Sequence, residues 1–131
     1  MIEEGLRSVL VTNVTLVGGR VFPTIRAQGS PYPSVVYQLI SDPARYALDG
    51  PTGLVEARFQ INSYGLTYGA MKAVARQVRA ALDGFVGTMG GLPVSLVKYE
   101  GGSDRYDQDG DLDGVHAHRA DVMIQYREDE P

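Results

Sequence analysis

The sequence predicts an α+β domain: a mostly antiparallel four-stranded sheet with helices packed on one face, in the order α-β-β-α-β-β. Residues 56–64 alternate polar and apolar, so that Ala57, Phe59 and Ile61 share one face, which is typical of a sheet buried on one side. An Ala-rich run ending at Leu82 follows at once, with apolar residues at helical spacing. Long hairpin connections and a single crossover helix favour antiparallel pairing with the helices on one face.

The first half of the chain predicts one helix and two strands. Apolar residues recur at helical spacing over residues 2–11, and acidic residues near the start suit the positive end of a helix dipole. Proline and glycine make residues 23–33 an irregular arm, free to reach a neighbour. Residues 34–41 are rich in β-formers and predict a long strand; a turn-rich loop over 42–53 then leads to an antiparallel strand over 54–64.

The second half predicts a helix and two further strands. Thr67 is a plausible N-cap, and Gly84 supplies the stop. One narrow stripe of the helix is apolar and faces the sheet: Met71, Val74, Ala75, Val78 and Leu82. Its outer face carries Lys72, Arg76 and Arg79. Residues 94–100 and 115–126 read as strands, joined by a Gly- and Asp-rich loop over 101–114.

Composition narrows the class of protein. A length of 131 residues fits one domain, residues 1–131, and 44% apolar with 21% charged residues is typical of a globular chain. The absence of cysteine excludes disulfides and thiolate metal sites and suits a reducing cytoplasm. The formal charge is −4 with no dense basic patch, which argues against tight nucleic-acid binding. No apolar run is long enough for a membrane span, and the acidic N-terminus is unlike a signal peptide.

Two groups of residues raise the question of a metal. The Asp cluster at residues 109–113 resembles the opening of a calcium loop, but the position of the closing carboxylate is Ala120. His116 and His118 share one face of a predicted strand, and that face continues through apolar residues to Tyr126. A metal or catalytic role would need a third ligand or an orienting carboxylate. We therefore expect an acidic solvated loop, a histidine pair packed at the sheet margin, and no metal.

No nucleophile elbow, phosphate loop or dinucleotide fingerprint is present, because the paired glycines lack the required spacing and context. The expectation is a protein that is not an enzyme and binds no cofactor.

Seven short segments carry a resemblance that spans nearly the whole chain: GGRVFP (18–23), PSVVY (33–37), LDGP (48–51), RFQI (58–61), VRAALDGF (78–85), RYD (105–107) and YRE (126–128). In order and spacing, they resemble the tail-completion, or tail-terminator, proteins of long-tailed bacteriophages and related gene transfer particles. These are structural signatures, not a catalytic motif.

The resemblance implies a structural ring subunit, a homo-oligomer expected to be hexameric, which caps the finished tail tube and faces the head-side connector. Its partners would be copies of itself, the tail tube protein and the head–tail connector proteins. DNA would only pass through the lumen, where net acidity suits sliding. The protein would be assembled in the host cytoplasm into the virion tail, with no membrane involved.

Particular residues are candidates for these contacts. Arg58, Gln60 and Asn62 point away from the helices and, with Arg76, are the expected subunit or lumen contacts. The loops over residues 42–53 and 101–114 would reach axially, which makes candidates of Asp49, Arg105, Tyr106 and Asp107. Two alternatives remain open: a head-side connector or stopper ring, and a small metal-binding module built on His116, His118 and residues 109–113.

Overall fold

The computed structural model describes residues 1–26, 29–41, 44–47, 50–107 and 114–128, with the side chains of 44–47, 50–52 and 107 left aside. Two α-helices and a short 3₁₀ helix accompany the strands. The elements are α1 (Ile2–Asn13), the 3₁₀ helix (Thr15–Val17), β1 (Val21–Pro23), β2 (Ser34–Ser41), β3 (Ala44–Ala47), β4 (Gly50–Gly65), α2 (Tyr68–Leu82), β5 (Gly87–Met89), β6 (Leu92–Asp107) and β7 (Val115–Arg127).

The described strands form one sheet in the order β1-β2-β4-β7-β6-β5, with β3 pairing to the first part of β4. The pairing of β1 with β2 is parallel, and the other pairings are antiparallel. The α+β class and the mostly antiparallel pairing are therefore confirmed. The prediction of four strands is wrong, because β1, β3 and β5 add to the four long strands.

The missed strands are short, and each lies in or beside a stretch that contains glycine or proline, where the sequence predicts a turn or a loop. β1 and β5 have three residues each, too few for an alternating pattern to be recognised. The predicted loops are also too long, since β4 begins at Gly50 and β6 continues to Asp107. Backbone pairing with a long neighbouring strand carries these Gly- and Asp-containing stretches into the sheet despite their poor intrinsic strand propensity.

Both helices follow the predicted patterns. α2 begins after Thr67, whose Oγ1 accepts a hydrogen bond from the backbone N–H of Ala70 at 3.1 Å, as an N-cap does. All five stripe residues of α2 are buried, and Gly84 ends the helical region with a φ of 75°. In α1, Ile2, Leu6 and Leu10 are buried in the same core.

The core lies between the helices and one face of the sheet. Its largest fully buried side chains include Phe59, Leu6, Leu10 and Ile61. The alternation predicted for β4 is confirmed, because Ala57, Phe59 and Ile61 are at most 1% exposed. Burying a side chain of this size contributes about 1.5–3 kcal/mol.

α1 contacts both edge strands of the sheet. It packs against β5 at one edge and β1 at the other. At the β1 edge, Arg7 Nε donates a hydrogen bond to the carbonyl of Val21 at 3.3 Å. At the β5 edge, a Cβ added at Gly5 would lie 2.2 Å from the backbone nitrogen of Gly90. The sheet therefore curls until one helix bridges its two edges, and this requires a residue without a side chain at position 5.

We expect Gly5→Ala to destabilise the protein by about 1–3 kcal/mol, because the new methyl group would overlap the backbone of the β5–β6 turn. Gly69→Ala is the matched control. Gly69 lies in α2, nothing stands within 4 Å of its added Cβ, and alanine there should stabilise the protein by about 0.5–1 kcal/mol. Denaturant unfolding of both variants measures the difference, and equal midpoints would contradict close packing of α1 on this edge.

Candidate interface surfaces

On the sheet face opposite the helices, charged side chains form ion pairs with one another. The Arg58 side chain is 53% exposed and forms an ion pair with Glu100 across the sheet. Arg119 and Asp121 on β7 form another pair, at 3.5 Å. Exposed pairs of this kind contribute little to stability. This face is therefore polar and nearly charge-balanced, with no strong field of one sign.

Gln60 and Asn62 follow Arg58 on the same face but differ in access to solvent. Gln60 is half-buried, whereas Asn62 is only 7% exposed. Asn62 Oδ1 accepts a hydrogen bond from Arg105 Nη1 at 3.1 Å, and the Tyr64 hydroxyl accepts one from Arg105 Nη2 at 3.3 Å. Asn62 thus lies beneath Arg105 and orients its guanidinium group, while Arg105 is the exposed member of the group.

The irregular arm folds back on its own subunit at one point. The ring of Tyr32 packs against Tyr64 with 6.3 Å between centroids, and the guanidinium of Arg26 lies 4.4 Å from the centre of the Tyr32 ring. Arg20 Nε donates to the carbonyl of Pro33 at 2.8 Å. The arm that the sequence predicts to be free to reach a neighbour is thus held at Tyr32 to the outer face of its own subunit, by an aromatic contact with Tyr64.

The outer face of α2 offers a second surface. Arg76 and Ala80 are exposed and Ala73 is half-buried, so this part of the helix carries short side chains beside a charged one. Arg79 behaves differently, since its guanidinium lies 4.7 Å from the centre of the Tyr99 ring. Of the predicted contact residues, Arg76 and Arg58 are therefore on opposite sides of the sheet.

The candidate axial residues that the structure describes, Arg105, Tyr106 and Asp107, lie at one end of the sheet. β4 runs from its pairing with Ala47 at one end to Gly65 opposite His116 at the other. The end of β6, with Arg105, Tyr106 and Asp107, pairs with the start of β7 at that second end. The first residue of β4 thus lies at the first end of the sheet, and the last residue of β6 lies at the second. Asp49 and residues 108–113 lie outside the described residues.

A polar cluster joins α2 to this second end of the sheet. Asp104 on β6 accepts hydrogen bonds from Lys72 Nζ at 2.8 Å, from the Tyr68 hydroxyl at 3.0 Å and from His118 Nδ1 at 2.6 Å. These partners, Lys72 first and His118 second, hold the pKa of the Asp104 carboxyl well below its usual range. The hydrogen bond to Asp104 in turn raises the pKa of Lys72.

His118 is engaged on both ring nitrogens. An ionised carboxylate only accepts, so Nδ1 carries the proton facing Asp104, and Nε2 lies 3.2 Å from the Tyr99 hydroxyl. Burial raises the pKa of the Tyr99 phenol, which favours the protonated form that can donate. The orienting carboxylate that a catalytic histidine would need is present, but the second nitrogen is occupied by a phenol of the same chain.

His116 packs between two tyrosines. Its ring meets Tyr106 at 4.9 Å and Tyr68 at 5.9 Å between centroids, both nearly edge to face. The prediction that the histidine pair packs along the core side of β7 at the sheet margin is consistent with these contacts. Among the residues that the structure describes, no group of three or more His, Cys, Asp or Glu side chains is placed to hold a metal.

Sequence reasoning missed Asp104, Lys72 and Tyr68 as members of one cluster. The signal was the cross-strand register, which places Asp104 opposite His118. The register is unshifted from Asp107 opposite Val115 to Asp104 opposite His118, so counting back from the hairpin would find this pair; the pair was missed because residues 101–114 were expected to form a loop. No helix among the described residues is both long and apolar enough to cross a membrane.

The chain matches one family of known proteins and is similar in fold to two solved structures. A family model described as "Tail completion protein gp17" matches residues 5–127. A chain from the solved structure "Virion of native gene transfer agent (GTA) particle" is similar in fold, with a TM-score of 0.65 at 13% identity, covering 96% of this chain and 97% of that one. A second solved structure, which carries no functional description, gives a TM-score of 0.56 at 15% identity, with 100% and 99% coverage. No curated protein matches the sequence.

Asp104→Asn should cost about 1–2 kcal/mol near neutral pH, because it removes the charge that Lys72 and His118 face. The pKa of Asp104 is depressed in the folded state, so its contribution is present above about pH 4 and is lost as the pH falls below that value. The wild-type protein should therefore lose stability more steeply below about pH 4 than the variant does.

Urea unfolding across pH 2.5 to 7 measures this difference. Asp121→Asn is the control, because the pair of Asp121 with Arg119 is exposed and its loss should cost less than about 0.5 kcal/mol. Parallel pH profiles for the wild type and Asp104→Asn would contradict the ion-pair cluster.

Proposed function

Because the chain belongs to the tail-completion protein gp17 family, we propose that it forms a hexameric ring that caps the finished tail tube and joins it to the head connector. Family membership makes the chain a structural component of a virion tail and not an enzyme. The ring, its stoichiometry and its place at the tube end are the proposal. We further propose that all 131 residues form one domain and that assembly takes place in the host cytoplasm.

The proposal rests on the family match over residues 5–127. Connections that leave opposite ends of the sheet support a place between the tail tube and the head connector. A subunit between two stacked assemblies needs a contact at each end. The β3–β4 connection leaves one end of the sheet, and β6–β7 leaves the other. Asp49 would then serve one partner, and Arg105, Tyr106 and Asp107 the other.

Contacts between copies would use surfaces at the sides of the subunit. A closed ring repeats one heterologous contact, so two different surfaces must fit each other. Arg58 and Gln60 on the outer sheet face and Arg76 on α2 lie on opposite sides of the sheet, as such a contact requires. Asn62 would act indirectly, through Arg105. The lumen would pass DNA without gripping it, since the chain carries a formal charge of −4.

The direct test mixes the purified protein with tail tubes assembled from the tube protein of the same particle. Electron microscopy should show a ring at one end of each tube, and tubes so capped should stop growing. The same protein mixed with portal complexes tests the alternative of a stopper ring. Binding to the portal in the absence of a tube, with uncapped tubes, would reject the tube-end position in favour of the connector.

The metal-binding alternative has no described cluster in its favour, and metal analysis decides it. Tight stoichiometric metal that is lost in a His116→Ala, His118→Ala double variant would support a metal module. A metal-free protein that caps tubes would remove it.

Arg58→Glu and Arg76→Glu should each reduce tube capping by about tenfold or more while leaving the monomer folded, because each reverses a charge on a proposed contact surface. Arg58→Lys is the control, since it keeps the positive charge opposite Glu100. The readouts are the capped fraction by microscopy and the unfolding midpoint. Full capping by both Glu variants would place the subunit contacts on other surfaces.

A further inference from the structure

Three aromatic rings lie side by side at the second end of the sheet, beside the start of α2. The His116 ring stands between the rings of Tyr106 and Tyr68, with 4.9 and 5.9 Å between centroids. Tyr106 lies opposite His116 on the neighbouring strand, and Tyr68 is the first residue of α2. We call Tyr68, His116 and Tyr106 the aromatic row, and it crosses from the sheet to the helix.

The two tyrosines of the aromatic row are exposed and yet held in place. Tyr106 is 56% exposed, and Tyr68 is 52% exposed. A Cβ added at Gly114 would lie 2.1 Å from Cζ of Tyr106, so this ring lies directly over the Gly114 backbone. The Tyr68 hydroxyl donates a hydrogen bond to Asp104 at 3.0 Å. Each ring is therefore supported by its own subunit on one side, and a partner that covers the other side has little further ordering to impose.

The charges beside the aromatic row cancel each other. The Lys72 ammonium lies 5.4 Å from the centre of the Tyr68 ring, and Asp104 accepts the hydrogen bond from the Tyr68 hydroxyl. Lys72 and Asp104 form an ion pair at 2.8 Å. A nucleic-acid strand stacked on these rings would need basic groups for its phosphates, and Lys72 is already paired. The row therefore suits an apolar protein surface.

The exposed area of the aromatic row is too small to join two free copies. A tyrosine offers about 150–250 Å² of surface, so two half-exposed rings present roughly 200 Å². A stable interface buries about 1,200 Å² or more in total, several times what two such rows could bury against each other. Rings of this area act as anchors within a larger contact, and their position at one end of the sheet points to an axial partner.

The order of assembly in the proposed function separates the two axial partners. Copies that arrive at a tube end are held only by their tube-side residues until neighbours join them. The connector instead meets a complete ring, whose copies bind it together, so each single contact with it can be weak. Preorganised aromatic anchors are therefore of most use on the side that faces the tube.

We propose that the aromatic row docks into an apolar pocket at the end of the tail tube, one pocket for each copy. The inference rests on the proposed function and assigns the second end of the sheet to the tube. Tyr68 and Tyr106 are the anchors, and His116 holds the two rings apart.

A photo-reactive residue in the aromatic row identifies its partner directly. Tyr106→benzoylphenylalanine keeps an aromatic side chain at an exposed position, so the subunit should fold. On capped tubes, irradiation should join this residue to the tube protein, as identified by mass spectrometry. Val86→benzoylphenylalanine is the matched control, because Val86 is 70% exposed and directly precedes β5, toward the first end of the sheet. It should give no product with the tube protein.

Removal of one ring provides the second measurement. Tyr106→Ser should lower the fraction of capped tubes at a fixed protein concentration by about tenfold or more, because an aromatic anchor is lost. Tyr106→Phe keeps the ring and should cap within about twofold of the wild type. Val86→Ser, which also removes an exposed apolar side chain, should cap like the wild type. Unfolding midpoints establish that each variant is folded.

The outcomes separate this contact from the proposed function. Wild-type capping together with cross-links from residue 106 to another copy or to a connector protein would overturn the tube contact and leave the proposed function standing. Full capping by Tyr106→Ser would do the same. Failure of the wild-type protein to bind any tube end would overturn both.

Discussion

The contact of α1 with both edges of the sheet is the constraint on which the rest of the structure depends. A mixed sheet of this width exposes unpaired edges unless something covers them. Here the sheet curls, and α1 packs against β5 on one side and β1 on the other. Because Gly5 and Gly90 bring two backbones together, the helix lies close to the β5–β6 turn. The curl fixes which face is buried, so the opposite face is convex and open to partners.

Charged side chains form isolated pairs on the convex face, whereas on the helix side several polar groups surround one carboxylate. On the convex face, Arg58 with Glu100 and Arg119 with Asp121 form exposed pairs that are easily exchanged for other partners. On the helix side, Asp104 collects Lys72, Tyr68 and His118 around one carboxylate and fixes the start of α2 against the end of β6. The first arrangement leaves a surface adaptable, whereas the second makes one end of the sheet rigid.

Sequence patterns predicted the elements whose signals are long, and they missed those that depend on pairing. The α2 stripe and the alternation at Ala57, Phe59 and Ile61 are local periodicities, and both were correct. β1 and β5 form only because β2 and β6 offer edges to pair with, which no three-residue window reveals. The burial of Asn62 depends on Arg105, which is 43 residues away in the sequence. The positions of contact residues along the strands could therefore be predicted, but their accessibility could not.

In the proposed function the protein must remain available until a tube is finished, and the described surface suits that requirement. Apart from Tyr68 and Tyr106, the exposed large apolar residues of the described part of the chain are scattered: Ile25, Leu66 and Val86, for example, lie in three different connections between elements. Isolated residues of this kind give weak pairwise association, well below what an extended apolar patch provides. A tube end that holds several copies side by side raises their effective concentration, so contacts too weak to join free subunits suffice to close a ring there. Under the proposed function, weak lateral contacts are thus the condition for assembly to begin at the tube, since strong ones would close rings before a tube was complete.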